Sequence, residues 1–217
     1  MQRMNYQYIL FDMDGTVLET LEDLYDATNV ALKHFGLPEI TMDDCRRYVG
    51  NGAARLIEQA VPAGTPEEKT KEVLEYYVPW YAAHSNIKTA PYPGIMELLQ
   101  KIREAGGKSA IISNKPDVAC KSLSEIFFQG MVETAIGQSD RIARKPAPDT
   151  IFEAMKILGA KKEDCVYIGD SEVDIQTAKN AGISCISVLW GFRTREELAK
   201  AGASAFAADP DELFRLL

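Results

Sequence analysis

Tyr8-Ile9-Leu10-Phe11-Asp12-Met13-Asp14-Gly15-Thr16 is the stretch on which the fold turns. Its apolar run over 8–11 reads as a buried strand that delivers two aspartates two residues apart, followed at once by glycine and threonine. Strand residues alternate faces, so Asp12 and Asp14 are expected to project together from the strand's carboxyl end. Open α/β sheets place their ligands at that end. Two adjacent carboxylates repel unless a cation or a shared proton compensates. Mg2+ suits them, being a hard ion that takes oxygen ligands and often shares its site with phosphate. Asp and Gly are also common turn formers, so on its own the motif allows a plain turn; the rest of the chain decides.

Downstream the pattern is helical for some seventy residues. Apolar positions at helical spacing run over 19–35, ended by Gly36 and Pro38. Thr41 is placed to cap a short helix through 48, with Asp44 completing a capping box. Gly50-Asn51-Gly52 breaks the chain before a helix over 53–60, and Pro66 opens a longer one. In that helix Val73, Leu74, Tyr77, Trp80 and Tyr81 form a stripe best read as packing, since aromatics at helical spacing are usually core. From Pro91 the rhythm becomes strand and helix in alternation. Helices are expected over 95–104, from 116, over 148–158 and over 172–181; strands are expected over 108–113, 134–136, 165–168 and 184–189. Two short elements follow, at 194–201 and 209–217.

Strands alternating with helices imply right-handed crossovers and a doubly wound parallel sheet covered on both faces. The helical block between the first two strands exceeds what a crossover needs. It reads as an inserted all-α cap over 19–91, with residues 1–18 and 92–217 forming the α/β core and hinges at 18–20 and 89–94. The chain has 217 residues, 46% hydrophobic and 26% charged, enough for one large domain with an insertion. A net charge of −8 argues against a nucleic-acid partner, which would need a basic stripe. The four cysteines are scattered without a C-x-x-C pair and read as ordinary thiols of a reducing compartment. No apolar run reaches spanning length and no leader pattern opens the chain, so a cytoplasmic protein with no membrane partner is expected.

Three further groups stand where strands end. Ser113-Asn114-Lys115 offers a hydroxyl, an amide and an ammonium; Lys145 precedes a helix; Gly169-Asp170-Ser171-Glu172-Val173-Asp174 ends a buried strand in acids. Asp170 and Asp174, four apart, are expected on one face of a helix's first turn. Singly, each has a plain alternative: Ser113 as a helix cap, Lys145 as a solvated lysine, Asp170 or Ser171 as a cap. Their order, each at a strand end, favours a site.

Together, Asp12-Met13-Asp14-Gly15-Thr16, Ser113, Lys145 and Gly169-Asp170-x-x-x-Asp174 resemble the four ordered motifs of the haloacid dehalogenase superfamily of phosphohydrolases, over nearly the whole chain. The resemblance implies a Rossmann-like core with a helical cap of the first type. It also implies a Mg2+-dependent phosphatase in which Asp12 is the nucleophile and forms an aspartyl-phosphate, and Asp14 is the general acid and base. Ser113, Asn114 and Lys145 would bind the phosphoryl oxygens. The metal would be held by Asp12, the backbone carbonyl of Asp14, and Asp170, with Asp174 or Glu172 behind them. Because the superfamily's dehalogenases lack the second aspartate, Asp14 points to phosphoryl transfer.

Val49-Gly50-Asn51-Gly52-Ala53, Ser113-Asn114-Lys115-Pro116 and 188–194 look like bacterial phosphoglycolate phosphatases, making 2-phosphoglycolate the expected substrate. Pyrophosphate, nucleoside monophosphates and sugar phosphates are the alternatives on the same machinery. A mutase is disfavoured because a cap His-Lys signature is lacking, and an inactive binding member because every catalytic side chain is present. Gly50, Gly52 and Arg55 are the candidate specificity loop, as glycines admit a ligand close to the backbone and Arg55 can pair with a carboxylate; the plain reading is that these glycines cap two helices. Arg193 reads as a surface arginine, and His34 and His84 as packing. The expected partner is a small phosphorylated metabolite, and the chain a monomer or homodimer.

Overall fold

Ile9, Leu10 and Phe11 of the first strand, β1 (Tyr8–Asp12), are all fully buried, as a strand flanked by layers on both faces must be. The computed structural model describes residues 4–217. After β1 the chain runs through β2 (Leu18–Glu19) and four helices, α1 (Leu21–His34), α2 (Met42–Tyr48), α3 (Gly52–Ala60) and α4 (Glu67–His84), to β3 (Ala90–Pro91). Then come α5 (Ile95–Glu104), β4 (Lys108–Pro116), α6 (Asp117–Phe128), β5 (Thr134–Gln138) and α7 (Asp149–Leu158). The last third holds β6 (Cys165–Gly169), α8 (Glu172–Ala181), β7 (Ser184–Val188), α9 (Arg195–Lys200), β8 (Phe206–Ala207) and α10 (Pro210–Leu216). Two compact units result, one of the chain up to Leu18 and from Pro91 to Leu217, the other of Glu19–Ala90.

The first unit is a six-stranded sheet in the order β5-β4-β1-β6-β7-β8, with every pair parallel. Strand alternation divides its core in two. Ile9, Phe11, Ile111 and Ile168 face one cluster with Leu98 of α5 and Leu213 of α10. Leu10, Ile112 and Tyr167 face the other with Ile151 of α7 and Ala178 of α8. The sheet is thus doubly wound. It also brings the carboxyl ends of β1, β4 and β6 side by side at the centre, where Asp12 pairs in register with Ile112.

Two local expectations need correction. β8 has no counterpart among the expected strands; its two residues pair with Ser187 and Val188, too short a segment to show a period of two. Strand alternation also does not orient Asp14, because β1 ends at Asp12. A turn takes over, in which Met13 O accepts from Thr16 N, Val17 N and Leu18 N at 3.3, 3.1 and 2.9 Å.

The second unit is all helical and packs α1 on α4, burying Leu24, Ala31 and Leu32 of the former and Val73, Tyr77 and Tyr81 of the latter. Thr41 caps α2 with Asp44 in a capping box. Asp23 is buried and accepts from Lys88 N, Thr89 N and Thr89 Oγ1 at 2.8–3.0 Å, tying the return segment to α1. The histidines pack: His34 stacks on Tyr76 and His84 on Trp80.

Candidate active site

The end of β1 presents Asp12, the end of β6 leads into Asp170, and the first turn of α8 supplies Asp174. Carboxylate oxygens of these three buried acids lie within 4.8 Å of one another. Lys145 enters the cluster from the loop before α7 and is 2% exposed. Its Nζ stands 2.7 Å from Asp12 Oδ1, 2.6 Å from Asp174 Oδ1 and 3.1 Å from the Tyr167 hydroxyl. It is not the solvated lysine that its neighbours in sequence allow. Its backbone is held too, since the Asn114 carboxamide accepts from Lys145 N at 2.7 Å and donates to Lys145 O at 3.1 Å.

Asp174 is saturated. Oδ1 also accepts from Tyr167 at 3.2 Å, and Oδ2 accepts from Ser171 N and Oγ at 3.1 and 2.6 Å. It sits so close to Gly169 that an added Cβ there would fall 2.3 Å from the Asp174 Cβ, so the residue before Asp170 must be glycine. Asp170 accepts from Phe192 N at 2.7 Å and from Thr16 Oγ1 at 3.2 Å. The two acids do not share a helical face as their spacing implies: α8 begins at Glu172 with Ser171 as its N-cap, and Asp170 precedes the helix. Ser113 is no helix cap either, because α6 is capped by Pro116. Its Oγ accepts from Lys115 N at 3.1 Å.

Three residues depart from the sequence reading or escaped it. Arg193 is not a surface arginine. Its side chain is 9% exposed and pairs with Glu172 through Nε at 3.0 Å, and Glu172 is itself half-exposed and stands outside the cluster of Asp12, Asp170 and Asp174. Lys115 is buried, with Nζ 3.2 Å from Asp14 Oδ1, an ion pair without hydrogen-bond geometry. The sequence shows its ammonium beside Ser113 but gives it no partner, and strand alternation cannot supply one, because the β4 register is irregular between Ile112 and Pro116. Tyr167 lies inside an apolar strand, and nothing in the sequence separates it from ordinary core. In the helical unit Gly50 and Gly52 have φ of 115° and 82°, values that favour glycine whatever the loop does. Arg55 is exposed and pairs with Glu58 at 3.0 Å.

Crowding shapes the electrostatics. Burial, and then the Asp174 charge, push Asp12 well above the usual carboxylate range against the pull of Lys145. Burial and Asp174 likewise push Asp170 up to about 7, against the Phe192 N–H. For Lys145 burial opposes the charge, but Asp12 and Asp174 outweigh it and hold the ammonium well above its ordinary value. Asp12, Asp14 and Asp174 pair with the ammonium groups of Lys145 and Lys115, and Asp170 feels the charge of Arg193, so the four acids remain in excess of the cations around them. An all-oxygen, buried, electron-rich donor set of this kind fits a hard divalent cation such as Mg2+. Asp12 and Asp170 are the better-placed ligands, because each oxygen of Asp174 already accepts from two protein donors whereas each oxygen of Asp170 accepts from one.

A consequence follows for stability. An acid raised from 3.8 to about 7 binds its proton more tightly folded than unfolded, so stability falls as pH rises through that window and is flat above it. A cation that takes the place of the proton has the opposite dependence. The melting temperature in EDTA is therefore expected to fall between pH 4 and pH 7, and the rise produced by Mg2+ to be larger at pH 8 than at pH 5. Thermal melts with EDTA and with millimolar Mg2+ decide it; an Mg2+ shift of the same size at both pH values would count against the acid cluster as the metal site.

Residues 9–188 match the family model of the haloacid dehalogenase-like hydrolases. The chain belongs to that family. A phosphoglycolate phosphatase of Colwellia psychrerythraea is 32% identical over 209 residues, 93% of this chain and 92% of its own. One from Caulobacter vibrioides is 32% identical over 204 residues, 92% of this chain and 86% of its own. Among solved structures, a Lactobacillus delbrueckii subsp. bulgaricus protein with an inferred phosphoglycolate phosphatase assignment superposes with a TM-score of 0.94 at 37% identity, over 99% of both chains. This family member is therefore a hydrolase whose similar relatives are phosphatases. Among the described residues no helix is long and apolar enough to cross a membrane.

Proposed function

We propose that this hydrolase is a Mg2+-dependent phosphatase that works through an aspartyl-phosphate on Asp12 and acts on a small acidic phosphate ester, foremost 2-phosphoglycolate. The observation that carries the reading is the convergence of Asp12, Lys145, Asp170 and Asp174 in one buried cluster, with Asp14 two residues from Asp12 and beside its own lysine. The names of the relatives supply the substrate class.

In the first half-reaction a carboxylate oxygen of Asp12 attacks phosphorus while the bond to the leaving oxygen breaks, and Asp14 gives that oxygen its proton. In the second, Asp14 takes a proton from water as the water oxygen attacks phosphorus, releasing phosphate and restoring Asp12. Lys145 and the Ser113 hydroxyl hold the phosphoryl oxygens, a preorganised charge that costs no reorganisation during reaction. Asp12, the Asp14 carbonyl and Asp170 would hold Mg2+, which when bound offsets the charge on a phosphoryl oxygen. Asp174 keeps Lys145 in line. Asn114, assigned from sequence to phosphate, is better assigned to holding the Lys145 backbone, since both ends of its carboxamide are spent there.

The helical unit Glu19–Ala90 is assigned as the substrate-selecting cap, with Gly50, Gly52 and Arg55 as its specificity segment. Four free cysteines accord with a cytoplasmic location. Phosphate release from 2-phosphoglycolate, pyrophosphate, nucleoside monophosphates and hexose phosphates, with Mg2+ and then EDTA, is the test, run on the native chain and on Arg55→Ala. Release that is lost in EDTA and highest on 2-phosphoglycolate is expected. Release from another ester replaces the substrate, release that persists in EDTA removes the metal, and an unchanged ranking in Arg55→Ala removes the cap assignment.

A further inference from the structure

Lys115 is a buried ammonium for which the mechanism above has no task. It stands at the carboxyl end of β4, 6% exposed, and its Nζ reaches Asp14 Oδ1 at 3.2 Å. Asp14 Oδ1 is buried and makes no hydrogen bond, so charge and not a directional bond holds the pair. Burying an ammonium is costly unless something in the site uses its charge. The charges around the site fall into two groups. Asp12, Asp170 and Asp174 gather about Lys145, whereas Lys115 stands with Asp14. Phosphate belongs with the first group. The leaving group belongs with the second, because Asp14 is the residue that hands it a proton.

We infer that Lys115 is a specificity-determining residue that binds an anionic substituent of the leaving group, a carboxylate one carbon from the ester oxygen. The inference rests on the phosphatase reading and narrows its substrate class. To receive a proton the ester oxygen must come within about 3 Å of the Asp14 carboxylate, and Lys115 Nζ is already 3.2 Å from that same carboxylate. A carboxylate that reaches about 3 Å beyond the ester oxygen on the Lys115 side of Asp14 comes within ion-pair distance of Nζ. A lysine suits this task, being a compact charge on a flexible stem that needs no fixed fork geometry. Arg55, the cation that the sequence favours for a carboxylate, is exposed and already paired with Glu58.

Two esters that differ only in this substituent test it: 2-phosphoglycolate and 2-hydroxyethyl phosphate, both with Mg2+. The native chain is expected to prefer 2-phosphoglycolate by roughly 10- to 100-fold in kcat/KM, the range of a charge-assisted contact. In Lys115→Met that ratio is expected to fall to near one, chiefly through KM for 2-phosphoglycolate, and Lys115→Arg to recover part of it. A loss shared by both esters reports only the ion pair with Asp14; if the ratio survives in Lys115→Met, the inference is overturned. The native chain decides even if the variant fails to fold, because equal kcat/KM on the two esters sinks the inference and leaves the phosphatase reading standing. Release from neither ester, nor from any other phosphomonoester, removes both.

Discussion

Asp12→Asn is expected to lower phosphate release by roughly 10⁴-fold or more, the scale seen when a nucleophile is removed from a site that otherwise stays intact. The carboxamide has nearly the shape of the carboxylate but no oxygen able to attack phosphorus. The protein should nonetheless fold. Burial and the neighbouring Asp174 charge already favour a neutral Asp12, so a neutral side chain of the same shape relieves crowding. Lys145 keeps Asp174 as its ion-pair partner at 2.6 Å. The metal-free melting temperature at pH 8 is therefore expected to match or exceed that of the native chain. Mass spectrometry of acid-quenched enzyme should find a phosphorylated species in the native protein and none in the variant. Turnover retained within tenfold would falsify the nucleophile assignment.

Lys145→Met has the larger expected effect on stability. The substitution keeps much of the buried volume and removes the ammonium that stands between Asp12 and Asp174, which are 6% and 0% exposed. Removing one partner of a buried ionic cluster typically costs about 3–5 kcal/mol, because the charges left behind are neither solvated nor paired. That is a large share of the roughly 5–15 kcal/mol that holds a domain folded. The cost should depend on pH with a definite sign. Deprived of Lys145, the carboxyls rise further, so the folded state binds protons more tightly than the unfolded one and loses stability as pH increases. The deficit is expected to be smaller at pH 5 than at pH 8. Urea unfolding at both values measures it, and a deficit at pH 8 below about 1 kcal/mol would show that Lys145 does not neutralise this cluster. Activity should fall as well, with the phosphoryl oxygens deprived of their principal cation.

Much of this architecture was legible because it is local. The aspartates after an apolar run, the glycine-acid string after another, and the helical period between Thr20 and Pro91 are features of short segments, and short segments are what periodicity and turn chemistry report. Thr41 with Asp44 is a case in point, as both partners of the capping box lie within one turn. Asp170 could be placed at a strand end for the same reason, whereas Ser113 lies within β4 and Lys145 in the loop before α7. What escaped was nonlocal. The Lys115–Asp14 and Lys145–Tyr167 contacts join residues remote in sequence. Arg193 looked like a surface residue because its partner Glu172 sits 21 positions away. The shared-face argument for Asp170 and Asp174 failed on a boundary of two residues, the scale on which helix ends are least readable.

The sequence by itself determined the alternation of strands and helices, the helical insertion, and the four groups of residues that mark the family, since hydrophobic period and turn residues act over a few positions at a time. Only the tertiary structure decided which lysine meets which aspartate and how deeply each acid is buried. Strand order carries that information: β4 and β6 flank β1 from either side although they lie some hundred or more residues from it. Desolvation and charge pairing depend on distances in space, and those come into existence only when the sheet closes around its centre.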